Sequence, residues 1–288
     1  MRKEDIWDRR SILRAAGAGA VGALAAAALR AEETPKANGN IKQSICRWCY
    51  GRIKLEDLCQ AAKKIGYQSI ELLDPEEIQV VQSFGLTCAV MRCANGIVEG
   101  LNRKENHDRI EKQLRDDIDF AVAHKLPSIL CMSGNRKGMD DQEGLNNCAT
   151  ALKRVVKLAE EKQITILMEG LNSKVDHKDY MYDKTQWGVD LCKKVGSDRF
   201  KLLYDIYHMQ IMEGDVIRTI RKDKEYIGHY HTGGNPGRHE IDETQELHYP
   251  AIVKAILETG YKGYLGQEFI PVHEPVASLS QGFKICDV

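Results

Sequence analysis

The chain has 288 residues, of which 43% are hydrophobic, so it is long enough to bury one large core or two small ones. Its 41 basic and 42 acidic side chains nearly cancel, and no block of like charge stands out. These values exclude a disordered or fibrous protein, and they leave no electrostatic basis for a nucleic-acid partner or an anionic membrane surface.

The first 31 residues differ in composition from the rest of the chain. The stretch "DRRSILRAAGAGAVGALAAAALRA" places the pair Arg9-Arg10 before an apolar run rich in Ala and Gly. It resembles a twin-arginine export signal, and the run is too short and too rich in Ala and Gly for a good membrane-spanning helix. We therefore predict a signal segment over residues 1–31 and a periplasmic or extracytoplasmic location, with no stable membrane insertion after export. A frayed basic helix or an uncleaved anchor is the alternative.

Residues 32–40, "EETPKANGN", have the composition of a flexible linker before the first apolar run. Nine cysteines follow at irregular spacing, including a lone C-x-x-C at Cys46 and Cys49. An odd count without a second pair does not indicate a disulfide framework or a zinc finger. We expect these cysteines to be buried thiols.

From Ile41 onward, short apolar runs alternate with longer helical stretches. The runs predict eight strands, at residues 41–46, 69–73, 86–93, 128–132, 164–170, 201–205, 227–233 and 263–269. Helical spacing is clear at residues 54–66, 104–125 and 147–163. Such alternation indicates parallel strands with helical crossovers. Because eight units fit residues 41–288 and no G-x-G-x-x-G follows the first strand, we predict a single-domain α/β protein, a (β/α)8 TIM barrel, rather than an open doubly wound sheet.

Four consecutive predicted strands end in residues of metal-ligand type. These residues are Glu169, Asp205, His231 and Glu268, and each is separated from the next by about one strand-helix unit. The carboxyl ends of barrel strands meet at one mouth, so we predict that the four side chains form one metal site. Three carboxylates and an imidazole suit Mn or Mg best, and Co or Zn is tolerated. Taken singly, each acid could instead be a helix N-cap or a surface residue.

Several motifs carry a family resemblance over residues 41 to about 275. The segments "MEGLN", "DIYHMQ", "NPGRHE" and "LHYPAIVKAILETGYKGYLGQEF" resemble the xylose-isomerase-like barrel superfamily of sugar isomerases and epimerases, and within it the hydroxypyruvate isomerases. The resemblance implies a divalent metal held by Glu169, Asp205, His231 and Glu268. Hydroxypyruvate isomerases tend to carry Gln where His231 stands, whereas ketose 3-epimerases carry His, and this departure leaves the substrate open.

The predicted site suits an isomerase that moves a carbonyl between adjacent carbons of a hydroxypyruvate-like substrate through an ene-diolate. Glu169 and Glu268 are the expected acid-base pair, because two carboxylates across a substrate can remove and return a proton. His208 is expected to bind a substrate oxygen, and Arg238 to bind the polar or anionic end of the substrate.

The expected partner is a small sugar or sugar acid, and a homo-oligomer is left open. Three alternatives to the isomerase remain: a ketose 3-epimerase, a sugar lyase or dehydratase, and a non-catalytic exported sugar-binding barrel.

Overall fold

A computed structural model describes residues 38–93 and 96–288, so the predicted signal segment and most of the predicted linker lie outside the described residues. The strands are β1 Lys42–Cys46, β2 Ser69–Glu71, β3 Ser128–Cys131, β4 Thr165–Glu169, β5 Phe200–Asp205, β6 Ile227–Thr232 and β7 Tyr264–Gln267. The α-helices are α1 Leu55–Ile65, α2 Pro75–Ser83, α3 His107–Ala123, α4 Asp141–Lys162, α5 Thr185–Val195, α6 Ile206–Met212, α7 Val216–Asp223, α8 Tyr249–Glu258 and α9 Pro275–Cys286.

The seven strands form one parallel sheet in the order β2-β1-β7-β6-β5-β4-β3. Residues 86–93 lie between the two outer strands and bridge them, since Thr87 pairs with Ser69 while Met91 pairs with both Leu73 and Ile129. These bridges close the sheet on itself. The alternation of strands and helices around a closed parallel sheet is the predicted TIM-barrel fold.

The eighth predicted strand, residues 86–93, is not a regular strand. At Ala89, side chains replace the backbone partners of a ladder: the Ala89 amide donates to Ser69 Oγ over 2.9 Å, and Ser128 Oγ donates to the Ala89 carbonyl over 2.5 Å. The segment therefore completes the ring through isolated bridges and side-chain hydrogen bonds at Ala89, without the continuous pairing of its neighbours.

The helices follow the sequence pattern closely, except at the start of α4. That helix begins six residues before the predicted boundary of 147, because Asp140 accepts hydrogen bonds from the amides of Gln142 and Glu143 and so caps it. The end of α1 is set by Gly66, whose φ of 119° is a conformation that favours glycine. No helix among the described residues is long and apolar enough to cross a bilayer.

Asp117 on α3 is buried away from the strand ends. Burial raises the pKa of its carboxyl to about 6, a rise that the hydrogen bond from Gln113 opposes and the charge of Asp116 reinforces. An unfolded aspartate has a pKa of about 3.9, so the native state holds this proton more tightly. The protein therefore loses stability as the pH rises from about 4 through about 6.

Replacing Asp117 by Asn keeps an acceptor for Gln113 and removes the charge. Asp117→Asn should raise the free energy of unfolding by about 1 kcal/mol at about pH 8, allowing for solvent screening, and by much less at about pH 4. Urea unfolding at both pH values measures the difference. Asp119→Asn, at an exposed position of the same helix, is the matched control. An equal gain at both pH values would contradict this account of Asp117.

Candidate metal centre

The register of the sheet brings the four predicted ligands to one mouth. Glu169 and Asp205 are the last residues of β4 and β5, His231 is the penultimate residue of β6, and Glu268 directly follows β7. Asp205 and His231 are direct partners across neighbouring strands. One side-chain donor atom from each of the four residues lies within 4.8 Å of those of the others, and all four residues are buried.

Three of these four side chains have one atom held by the protein and another directed at the centre. Asp205 Oδ1 accepts from the amide of Tyr207 over 2.8 Å, and Glu268 Oε1 accepts from Trp48 Nε1 over 2.6 Å. His231 Nε2 lies 2.6 Å from Glu71 Oε1 and donates to it. The atoms on the other side are Asp205 Oδ2, Glu268 Oε2 and His231 Nδ1. This division turns the inner atoms toward the centre, where they can act as ligands.

The side chains of Glu169, His231 and Glu268 each direct one atom at the centre. His231 Nδ1 is 2.6 Å from Glu268 Oε2 and 3.4 Å from Glu169 Oε1. None of these three buried atoms has a hydrogen-bond partner among the described residues. Buried polar atoms are normally hydrogen-bonded, so a cluster of unsatisfied acceptors around one point indicates a ligand set.

The charge of the cluster also fits a divalent cation. Three buried carboxylates face one guanidinium, that of Arg238, whose Nη2 lies 3.1 Å from Asp205 Oδ2 and 2.8 Å from Glu268 Oε2. A buried charge without compensation costs on the order of several kcal/mol. Three carboxylate oxygens with one imidazole nitrogen are a donor set suited to a divalent cation.

The two glutamates have pKa values shifted in opposite directions. Burial and the nearby charge of Glu268 raise the pKa of Glu169. Burial alone would raise the pKa of Glu268 too, but Arg238 and His231 favour its ionised form and lower the pKa well below the usual range. Two carboxyl groups on one centre with pKa values pushed apart are suited to different roles in a proton transfer.

The structure places Arg238 over the centre. Its guanidinium lies between the rings of Trp48 and Tyr207, with Cζ 5.2 Å from each ring centroid. Neither Glu240 nor Asp242, the partners that sequence alone could offer in its own loop, pairs with it; the carboxylates of Asp205 and Glu268 do. Arg238 thus lies at the centre with a planar set of donors beside the ligands.

His208 is fully buried on α6, with its Nε2 3.6 Å from Asp205 Oδ2. Its Nδ1 accepts from the amide nitrogen of Asn172 over 3.2 Å and faces the side-chain nitrogen of Asn172 at 2.7 Å. These donors place the ring proton on Nε2, which has no hydrogen-bond partner among the described residues. Burial and the charge of Arg238 lower its pKa well below the usual value, so His208 is a neutral donor at the centre.

The loop that carries Arg238 is fastened to the segment that follows β7. The Ile270 amide donates to the Arg238 carbonyl over 2.7 Å, and His239 Nδ1 lies 3.0 Å from the Ile270 carbonyl. Glu240 Oε1 accepts from the amides of Val272 and His273 at 3.0 and 3.1 Å. These contacts give His239 and Glu240 a role that sequence reasoning did not find, because the partners lie some thirty residues away along the chain.

Two further groups of ligand type share His231 with the centre. One consists of Cys46, His231 and Glu268, and the other of Glu71, His229 and His231. Burial raises the pKa of the Cys46 thiol well above its usual value, which keeps the thiol protonated. Glu71 lies at the end of β2, where an acid could reach the mouth, yet it is fully buried and bonded to both histidines.

Sequence reasoning also missed the roles of Trp48 and Asn172. Trp48 is 46% exposed and donates to Glu268, whereas Tyr50, the other aromatic residue after the first strand, is buried in the core. Asn172 was visible only as part of the segment "MEGLN", and nothing in its spacing identified it as the partner of His208. Glu213, which follows α6, is exposed, and its carboxylate also accepts from the Thr185 hydroxyl over 2.6 Å at the start of α5.

Comparison with known proteins gives the family and several relatives. The family described as xylose isomerase-like TIM barrel matches residues 59–285. The chain is 38% identical over 108 residues to a 2-oxo-tetronate isomerase of Cupriavidus necator, a match that covers 38% of this chain and 41% of that relative. It is 28% identical over 166 residues to a hydroxypyruvate isomerase of Escherichia coli, covering 56% of this chain and 64% of the relative.

A solved structure gives the same picture of the fold. The crystal structure of a family 2 AP endonuclease from Brucella melitensis superimposes with a TM-score of 0.75 and 22% identity. The superposition covers 83% of this chain and 96% of that chain. At this level of identity the likeness shows the barrel fold alone.

Binding of Mn²⁺ should stabilise the folded protein measurably. At about 100 times its Kd, Mn²⁺ should raise the free energy of unfolding by about 2.7 kcal/mol, and Asp205→Asn should lose most of that gain. The substitution keeps the acceptor for the Tyr207 amide while removing one charge from the centre. Thermal unfolding with Mn²⁺ and with EDTA measures both. Asp140→Asn, at another capping aspartate, is the control and should retain the full gain; equal loss in the two variants would contradict the assignment of Asp205.

Proposed function

The chain belongs to the xylose isomerase-like TIM barrel family, and from this we propose that it is a metal-dependent isomerase of short 3-hydroxy-2-oxo acids. The proposed reaction interconverts a hydroxy-ketone and a hydroxy-aldehyde, as hydroxypyruvate and tartronate semialdehyde are related. The names of the two isomerase relatives support an enzyme of this kind, since each acts on a 2-oxo acid.

One observation carries the proposal: the carboxylates of two glutamates meet at one centre that fits a cation. Glu169 Oε1 and Glu268 Oε2 both approach His231 Nδ1, at 3.4 and 2.6 Å. Two carboxyl groups at one centre can serve as the base and the acid of a proton transfer. An isomerase requires both, because one group takes a proton from carbon while the other can supply one.

The proposed chemistry is balanced within the substrate. One glutamate removes a proton from the hydroxyl-bearing carbon, which gives an ene-diolate, and a proton then returns to the neighbouring carbon. The hydroxyl proton passes between the two oxygens, so the product is an isomer and no co-reactant is consumed. A bound divalent cation would supply electrostatic stabilisation of the developing negative charge. We leave open which glutamate acts first.

His208 and Arg238 are proposed to hold the substrate. The neutral imidazole of His208 offers Nε2–H to a substrate oxygen, because its other nitrogen is engaged by Asn172. Arg238 offers the remaining donors of its guanidinium to the carboxylate of a 2-oxo acid. Contacts with the rings of Trp48 and Tyr207, each 5.2 Å from Cζ to the ring centroid, restrict the movement of this guanidinium.

A ketose 3-epimerase is the second candidate. It is favoured by the histidine at position 231, where the resemblance to hydroxypyruvate isomerases would lead one to expect Gln. An epimerase would use the same two glutamates but would return the proton to the opposite face of the same carbon. The two activities therefore differ in product and not in the residues required.

Proton NMR in heavy water tests the proposal and separates the candidates. The protein, supplied with Mg²⁺, is incubated with hydroxypyruvate, then with 2-oxo-tetronate and a panel of ketoses, beside an EDTA-treated sample. Metal-dependent deuterium incorporation with an aldehyde product supports the isomerase. Exchange and inversion on a ketose alone moves the function to an epimerase. Absence of exchange on every compound would overturn both and leave a lyase or a binding protein.

Loss of the Glu268 charge should stop turnover without removing the fold. Glu268→Gln should lower kcat by about 100-fold to 10,000-fold, the usual contribution of a positioned acid or base. The amide keeps an acceptor for Trp48 Nε1, so the substituted protein should remain folded. Steady-state kinetics at saturating metal measures the effect, with Glu274→Gln, a substitution at the cap of α9, as the control. A kcat within about threefold of wild type would remove Glu268 from the reaction.

Replacing His208 should weaken substrate binding and leave metal binding unchanged. His208→Gln should lower kcat/KM by about 10-fold to 100-fold through loss of one hydrogen bond to the substrate. The Kd for Mn²⁺ should change little, because His208 is not among the four ligands. Kinetics and calorimetric metal titration give the two values. A fall in metal affinity that matches the fall in kcat/KM would show that His208 acts on the metal centre instead.

A further inference from the structure

Beneath the candidate metal centre lies a second buried polar cluster, formed by Glu71, His229 and His231. Both imidazoles present Nε2 to the same carboxylate oxygen, Glu71 Oε1, at 2.9 Å from His229 and 2.6 Å from His231. The thiol of Cys46 adds a weaker contact to that oxygen at 3.7 Å. Glu71 is fully buried, and its other oxygen, Oε2, has no hydrogen-bond partner among the described residues.

The cluster joins strands β2 and β6, and residues of β1 and β7 lie against it. Glu71 ends β2 and is paired with Cys46 at the end of β1, while His229 and His231 lie on the same face of β6. Gly266 of β7 pairs with His231 and leaves the room that the contact needs: a Cβ there would come within 2.6 Å of Glu71 Oε1 and 2.7 Å of His231 Cδ2. Gly266 and Glu71, from different strands, therefore both pack against the imidazole of His231.

The hydrogen bond to Glu71 decides which face of His231 is a ligand. A neutral imidazole that donates from Nε2 to a carboxylate presents a lone pair at Nδ1, and Nδ1 of His231 is the atom that lies 2.6 Å from Glu268 Oε2 at the centre. Without an acceptor below it, the ring could carry its proton on either nitrogen and could turn about its Cβ–Cγ bond. Burying the Glu71 carboxylate costs free energy, so its place beside the candidate ligand His231 suggests a functional role.

We propose that Glu71 is a positioning residue that holds the Nδ1 lone pair of His231 on the cation, and that His229 holds Glu71. The inference rests on the proposed function, because it assumes that His231 binds a metal. His229 fills one side of Glu71 Oε1 and so keeps the carboxylate turned toward His231. Neither Glu71 nor His229 touches the substrate or the cation.

Calorimetric titration of the metal-free protein with Mn²⁺ tests the proposal. Glu71→Gln should weaken the Kd for Mn²⁺ by about 10-fold to 100-fold, the usual effect of removing a partner that orients a ligand. The amide oxygen is an uncharged and weaker acceptor than the carboxylate, and the NH2 group can turn toward His231 Nε2 and so favour the other tautomer. Saturating Mn²⁺ should restore kcat to within about threefold of wild type, since the reacting groups are unchanged.

Substitutions at His229 provide the second test, should Glu71→Gln fold poorly. His229→Gln retains a side-chain N–H at a similar distance from the backbone and should keep the Mn²⁺ affinity within about threefold, whereas His229→Ala should weaken it by about 10-fold. Ser44→Ala is the control. It removes a buried hydrogen bond, from Ser44 Oγ to Ser69 Oγ over 2.8 Å, without touching Glu71, and it should leave the Kd unchanged.

The outcomes separate this inference from the proposed function. If the wild-type protein binds no metal, the proposed function is overturned, and the positioning role of Glu71 is overturned with it. If it binds one ion per chain and Glu71→Gln binds equally well, only the positioning role is overturned. A stoichiometry of two that falls to one in Glu71→Gln would also overturn it, because the cluster would then be a metal site in its own right.

Discussion

The site depends on an imbalance of buried charge. Glu169, Asp205 and Glu268 bring three carboxylates to the buried end of the barrel, and Arg238 is the guanidinium that faces them. Carboxylates placed together in such a setting destabilise a fold unless cations or protons compensate them. The raised pKa values of Glu169 and Asp205, which burial causes first, reflect the compensation that Arg238 leaves incomplete. A divalent cation would supply it, which is why we place the chemistry there.

The parallel barrel brings these charged side chains together, because each strand contributes one side chain to the same mouth while the helices cover the outside. Around the centre, hydrogen bonds orient three of the candidate ligands. Their partners are Trp48, Glu71 and the backbone at the start of α6. The loop with Arg238 is fixed to the segment after β7 by backbone contacts and by Glu240. The inner atoms are therefore directed before any ligand arrives, as preorganised catalysis requires.

The sequence predicted the fold, and it predicted that the four candidate ligands lie at the ends of neighbouring strands, because both features depend on local periodicity. Alternating strands and helices gave the barrel, and the ends of strands gave Glu169, Asp205, His231 and Glu268. What it could not predict depends on register between distant segments. The pairing of Glu71 with His229 and His231 joins residues some 160 apart, and the irregular closing segment at residues 86–93 depends on hydroxyl groups from two neighbouring strands. The spacing of residues within one helix or strand predicts neither of these contacts.

Anomalous X-ray diffraction from crystals of the Mn²⁺-loaded protein tests the central claim most directly. The account predicts one strong peak bound by Glu169, Asp205, Glu268 and the Nδ1 atom of His231, with His231 Nε2 still hydrogen-bonded to Glu71. A peak between Glu71, His229 and His231, coordination through His231 Nε2, or the absence of any peak at the strand ends would contradict it.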